Sequence, residues 1–263
     1  MRQDTDRAFH IDADDMPTGT LLSRREALTL LASVGAAAAV VTLGPSVLAQ
    51  SASPGAPAVA GSALPSCVIR PELTEGPYYV PNELERSDIR TDSADGTTAP
   101  GARLDLTFLV SRIDGTGCTP LGAAAVEVWH CDAKGVYSGV TDRSFDTVGH
   151  DFLRGVQRTD AAGAATFTTI YPGWYEGRTV HLHFKIRSDP NASAGTELTS
   201  QLFFDDTFTD AVYLAEPYAS KGIRTLRNDG DGIYQQSGGQ TLVTVAPSTD
   251  GYQATFAIGV QMS

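Results

Sequence analysis

Thr179-Val180-His181-Leu182-His183-Phe184-Lys185-Ile186 alternates in the way a β-strand does. Successive side chains of a strand point to opposite faces, so His181 and His183 share one face and Leu182 and Phe184 the other. The apolar pair anchors the strand in a core. The histidines, with Cα atoms roughly 6.5 Å apart at the usual strand rise, are close enough for both imidazoles to reach one metal ion. Two half-buried structural histidines are the plainer reading of the same pattern.

Outward from this strand the chain repeats short alternating runs between turn-forming clusters. Arg103–Val110, Ala124–His130, Ala164–Ile170, Ser200–Phe204, Thr241–Val245 and Tyr252–Val260 are the further strand candidates. Asp-Gly, Gly-Thr-Gly, Ala-Lys-Gly and Asp-Ala-Ala-Gly punctuate them. Helical periodicity is scarce, with one short helix expected within Asp210–Ser220. Strands at this density predict an all-β fold, an antiparallel β-sandwich with long loops and little helix. Arg187–Glu197 and Lys221–Gly239 read as long polar loops, and loops of that length are often functional.

The N-terminal part reads differently. Ser23-Arg24-Arg25 precedes the apolar stretch Ala27–Val41, and Ser46-Val47-Leu48-Ala49 offers small residues for cleavage. Residues 1–49 are therefore read as a twin-arginine-type export signal, with the mature protein periplasmic or extracellular. The apolar run is short and rich in Ala and Gly, so no stable membrane association is expected after cleavage, while cleavage or retention as an anchor stays open at this level. Residues 50–66, rich in Ala, Ser, Gly and Pro, read as a flexible linker, and residues 67–263 as the functional domain. The formal net charge of −12 excludes the basic field that nucleic-acid binding needs. Cys67, Cys118 and Cys131 allow one disulfide and one free thiol, and spacing does not choose the pair. Three cysteines also argue against a cysteine-based zinc site.

His130 closes a strand after Trp129 and is read as structural; His150, in a Gly-Asp-rich loop, is read as solvent-exposed. Tyrosine is the more informative companion of the histidine pair. Tyr137 follows a tight Lys134-Gly135 turn, and Tyr175 stands in the loop Tyr171–Arg178 that leads into the histidine strand. A phenolate is a hard anionic donor. Two of them beside two imidazoles would favour Fe(III) over zinc or Fe(II).

These residues resemble the intradiol ring-cleavage dioxygenases of the catechol and protocatechuate 3,4-dioxygenase type. The matching segments are Pro71-Glu-Leu-Thr-Glu-Gly-Pro-Tyr-Tyr79, Gly122–Gly139, Phe152–Asp160 and Thr169–Phe184, in the family's order. The likeness is greatest to the exported single-chain members, since no helical dimerisation segment precedes the domain. The resemblance implies a non-haem Fe(III) cofactor held by Tyr137, Tyr175, His181 and His183, with Tyr175 the ligand that substrate displaces. It implies that Arg178 stabilises negative charge on the ring, that Gln201 supports the site, and that Pro77, Tyr78 and Tyr79 approach the substrate. The implied reaction inserts both atoms of O2 into a catechol-type aromatic and yields a cis,cis-muconate-type diacid. One departure is the short Glu176-Gly177 link between Tyr175 and Arg178, where cytoplasmic members carry a longer loop.

The rival expectation is an exported, non-catalytic β-sandwich that binds aromatic or carbohydrate ligands on Trp174 and Tyr175. A cupin-like site lacks its additional histidine and carboxylate here. For a carboxylated substrate, Arg154, Arg158 and Arg224 are all open as the extra cation. Which catechol is used, and whether the protein is a homo-oligomer, stay open at this level.

Overall fold

The computed structural model describes residues 68–262 apart from residues 82, 116 and 190–194. The export segment, the linker, Cys67 and the middle of the Arg187–Glu197 loop lie outside the described residues. Among the described residues no helix is long and apolar enough to cross a membrane.

Two five-stranded sheets face each other. In the first, β1 (Arg103–Asp114) is the spine. It pairs along one edge with β5 (Ala164–Ile170) and then β2 (Gly117–Pro120), both antiparallel. Along the other edge it pairs with β10 (Gly251–Gln261), which in turn meets β9 (Val245–Ser248). The second sheet runs β4 (Arg154–Arg158), β3 (Ala125–Trp129), β6 (His181–Arg187), β7 (Glu197–Phe204), β8 (Leu242–Val243).

The sandwich expectation holds, with two pairings that alternation could not reveal. β1 and β10 are parallel, as are β7 and β8. A period of two says which face a residue occupies but not which strand lies beside it. The edge strands β2 and β4 also escaped the sequence reading, being short and weakly patterned.

Between the sheets Leu104, Leu106, Phe108 and Val110 of β1 meet Leu182, Phe184 and Ile186 of β6, all fully buried. The Phe184 ring lies 5.1 Å from Phe108 and 5.7 Å from Phe256. Each such ring, removed from water, contributes roughly 2–3 kcal/mol. Leu182 and Phe184 thus take the inward face, which sends His181 and His183 to the other side of the second sheet. That outer face is covered too, because the chain from Leu73 to Val80 and the loops before β4 and β6 fold over it. β3 is buried along its whole length.

The helical segments fall earlier and later than expected. Helix α1 spans Asp206–Val212, not the interior of Asp210–Ser220, because Asp205 caps it by accepting from the Phe208 amide. The Lys221–Gly239 stretch is not all loop. It holds α2 (Gly232–Ser237), capped by Asp231 and ended by left-handed Gly238. Cys118 is disulfide-bonded, and Cys131 is a buried free thiol.

Candidate metal centre and substrate cleft

β6 sits between β3 and β7, so its register decides what flanks the histidines. His183 pairs with Trp129 on one side and Gln201 on the other. The Trp129 ring stacks nearly parallel on the His183 imidazole, at 5.1 Å and 8°. Gly76 presses on the same imidazole from outside: a Cβ there would lie 3.0 Å from His183 Cε1, and its φ of +74° already favours glycine. This is the physical content of the Gly76-Pro77-Tyr78-Tyr79 segment.

His181 Nδ1 lies 2.7 Å from the carbonyl of Thr179 and donates to it, which leaves the lone pair on Nε2. That Nε2 is 3.1 Å from His183 Nε2 and 3.2 Å from the Tyr175 hydroxyl. Tyr137 arrives from a different loop. The Asp132 carboxylate accepts from the Lys134 and Val136 amides and closes the turn before it. Gly135, at φ +84°, passes so near the Trp174 carbonyl that a Cβ would lie 2.2 Å from it. The Tyr137 ring stands 5.8 Å from Tyr175 and 6.1 Å from His183. Its hydroxyl is buried without a hydrogen-bond partner.

Electrostatics sharpen the picture. Burial, then the Arg178 charge, holds the His181 imidazole well below its usual range. Burial, then His181 and Arg178, does the same for His183. Both rings are therefore neutral lone-pair donors near pH 7. Burial, then the neighbouring Tyr175, pushes the Tyr137 phenol well above its ordinary value. A multivalent cation among these groups would reverse that preference by stabilising the phenolate. The donor set, two neutral imidazoles and two phenol oxygens at one spot, fits ferric iron. Among the described residues no group of three His, Cys, Asp or Glu side chains offers a competing metal site.

Arg178 closes the inner side. Its Nη1 is 3.5 Å from His181 Nε2, its Nη2 donates to Gln201 Oε1 at 2.7 Å, and its Nε donates to Asp231 at 2.9 Å. Burial alone would lower its pKa, but the charges of Tyr175 and Asp231 outweigh this and raise it. Gln201 is in turn held by the Thr74 carbonyl.

The three aromatic-segment residues separate. Tyr78 stacks on Tyr137 at 4.6 Å and meets Tyr175 edge-on at 5.9 Å, with its hydroxyl donating to Asp142. Tyr79 turns away: it packs on the far side of Trp129 and under the Lys185 ammonium. Pro77 is exposed. Only Tyr78 of the three lines the cleft of about 710 Å³ that opens beside Tyr175, together with Val136, Phe145, Trp174, Lys134 and Lys221.

The remaining expectations sort readily. His130 is fully buried and structural, bonded to the Cys131 carbonyl and Thr169. His150 is half-exposed but tied to the buried Asp92 carboxylate. Arg154 is committed to the Ser138 and Tyr78 carbonyls, Arg158 to Glu85, and Arg224 to Asp206 and Asp210. The cations that line the cleft are instead Lys134 and Lys221, and Lys221 lies over the Trp174 ring at 4.8 Å. Trp174 thus lines the cleft with a lysine ammonium over its ring. Sequence reasoning missed Asp142 and Asp231, and it offered Arg154 as a substrate cation rather than as the support of the Tyr78 and Ser138 carbonyls. For Asp231 a faint signal existed, since Asp before Gly-Ile-Tyr is a plausible helix cap.

The chain is similar to several known proteins. A family model described as dioxygenase matches residues 74–227. Catechol 1,2-dioxygenase 1 of Acinetobacter lwoffii is 28% identical over 165 residues, which is 52% of this chain and 49% of that protein. The chain spans about half the length of the curated relatives it matches. Among solved structures, an intradiol ring-cleavage dioxygenase from Tetranychus urticae is 29% identical with a TM-score of 0.62, over 74% of this chain and 94% of that one. The dioxygenase domain of a dioxygenase and carbohydrate-binding fusion from Streptomyces sp. SirexAA-E is 26% identical with a TM-score of 0.51, over 74% of this chain and all of that one.

Proposed function

The chain belongs to the intradiol ring-cleavage dioxygenase family, and we propose that it is a non-haem Fe(III) enzyme inserting both atoms of O2 into a catechol-type aromatic. The observation that carries this reading is the meeting of His181, His183 and Tyr175 within 3.2 Å, with the unpartnered Tyr137 hydroxyl beside them. Tyr137, Tyr175, His181 and His183 would hold the metal. Bound ferric iron supplies positions for both catechol oxygens and makes the ring reactive toward O2.

The residues divide the remaining work by their burial. Tyr137 is fully enclosed, so its phenolate is the permanent anionic donor. Tyr175 is half-buried on the cleft wall, which suits it to leave and accept a proton from the incoming catechol hydroxyl. Tyr175 would take one of the two catechol hydroxyl protons and the second would leave to solvent through the cleft, adding one negative charge beside the buried Arg178 guanidinium. Arg178 places a buried guanidinium beside the ligands, where negative charge builds on the ring. Tyr78, held by Asp142, forms the aromatic wall that orients the substrate ring. Cleavage between the hydroxyl-bearing carbons gives a cis,cis-muconate-type diacid.

Export by the twin-arginine-type leader, supported by Arg24-Arg25 and the apolar run behind them, would expose the enzyme to aromatics outside the cytoplasm. The deciding experiment is oxygen uptake by purified, iron-quantified protein against a panel of catechols, with product spectra. Red-brown protein and diacid products are expected. A colourless protein carrying stoichiometric zinc and taking up no oxygen would overturn the reading.

A further inference from the structure

We propose that Asp231 is the positioning residue for Arg178, and that it sets the rate of the ring-cleavage step through that guanidinium alone. The inference rests on the function proposed above and extends it to a segment, Asn228–Tyr234, that contributes no ligand.

Four hydrogen bonds converge on this one carboxylate, which is 1% exposed. Oδ2 accepts from Arg178 Nε and from the Thr179 amide, each at 2.9 Å. Oδ1 accepts from the Ile233 and Tyr234 amides, each at 2.9 Å, and so caps α2. The carboxylate is therefore pinned by backbone on both sides before it meets the guanidinium. A planar guanidinium held at Nε by Asp231 and at Nη2 by Gln201 keeps little rotational freedom. Its remaining nitrogen, Nη1, is the one turned to His181. Gln201 is neutral and could hold the fork's orientation, whereas Asp231 adds a carboxylate charge in direct contact with the buried guanidinium. Asn228 steadies the same segment by accepting from Thr179 Oγ1 and donating to the Phe204 carbonyl.

The test is a double-mutant cycle on the iron-loaded enzyme. Asp231→Asn should lower kcat with the best catechol by about 10- to 100-fold, as misplacement of a charge-stabilising group does, with KM little changed. Iron content and the visible tyrosinate absorption should stay at wild-type level, because Asp231 touches no metal ligand side chain. In an Arg178→Gln background the same Asp231→Asn change should cost no further rate. Multiplying losses, an unchanged kcat in the single variant, or loss of iron would each overturn the proposal. Should Asp231→Asn fail to fold, Asp231→Ser keeps an oxygen that can cap α2 and takes its place in the cycle. Failure of both variants to fold beside an active wild type marks Asp231 as structural and also overturns it. An inactive wild type overturns the underlying reading instead.

Discussion

The two sheets solve the same packing problem in different ways. β10 of the first sheet alternates between buried and open positions, as a sheet with one wet face should. β3 and β6 of the second sheet are buried on both faces, one by the core and one by loops. The second covering costs backbone ordering and brings polar groups out of water, so it needs compensation. Here the compensation is the site: His183 between Trp129 and Gln201, Lys185 between Glu75 and Glu197, Arg178 against Asp231. Chemistry sits where a sheet face is dry yet polar.

The contrast is most easily broken within β6, between two adjacent residues. Phe184→Ala opens a cavity among Phe108 and Phe256 and should cost about 3–5 kcal/mol of stability. His183→Ala removes a buried ring stacked on Trp129 but none of the packing between the sheets, so the apo protein should lose clearly less stability than Phe184→Ala while most bound iron is lost. Denaturant titration of the apo forms, with metal analysis of the loaded ones, separates the two. Equal loss of stability in both apo variants would mean that the outer face is as much core as the inner one.

The paired tyrosines sharpen the same point by depth. Tyr137→Phe should strip most of the iron and the visible colour. Tyr175→Phe should keep iron, shift the absorption, and slow turnover roughly 100-fold through loss of a proton acceptor. Iron content, spectra and kcat on both variants read this out. Unchanged turnover in Tyr175→Phe would remove its role as base.

His130 joins the sheets, since it follows β3 and its Nε2 reaches Thr169 on β5 at 2.7 Å. Burial lowers its pKa from 6.5 to about 4. The folded state therefore binds fewer protons than the unfolded chain between those values, and stability falls as pH drops through that window. The contribution is up to about 3 kcal/mol, present above pH ~6.5 and gone below ~4. His130→Gln should flatten this part of the stability–pH curve in the apo protein. An identical slope in the variant would assign the acid sensitivity elsewhere.

How much of this was legible beforehand follows from range. His181, His183, Tyr175 and Arg178 lie within nine residues, so strand alternation and one loop bring them together. Tyr137 needed only the Lys134-Gly135 turn to stand out. Asp231 meets Arg178 across 53 residues and Asp142 meets Tyr78 across 64, and nothing local in either segment marks the partner. The same blindness hid the parallel β1–β10 pairing, whereas the inward residues of both strands could be read from their alternation. Pro77, Tyr78 and Tyr79 are consecutive yet face three ways, because Gly76 turns the chain over His183 before the segment extends.

The smallest effect comes from β4, whose two ends carry the same side chain in opposite settings. Arg154 is buried with its Nη2 on the Tyr78 and Ser138 carbonyls, at 2.8 and 2.6 Å. Its replacement by Ala leaves two carbonyls unsatisfied, should cost about 2 kcal/mol, and loosens the wall that Tyr78 forms. Arg158 lies four residues on, paired with Glu85 at 3.6 Å while both side chains are about half exposed. Salt and water screen such a pair to less than ~1 kcal/mol. Arg158→Ala should leave the melting temperature within a few degrees of wild type and turnover of every catechol unchanged. A selective loss of turnover with carboxylated catechols would instead place this guanidinium at the cleft, and the division between dry, polar sheet face and wet edge would have to be redrawn at β4.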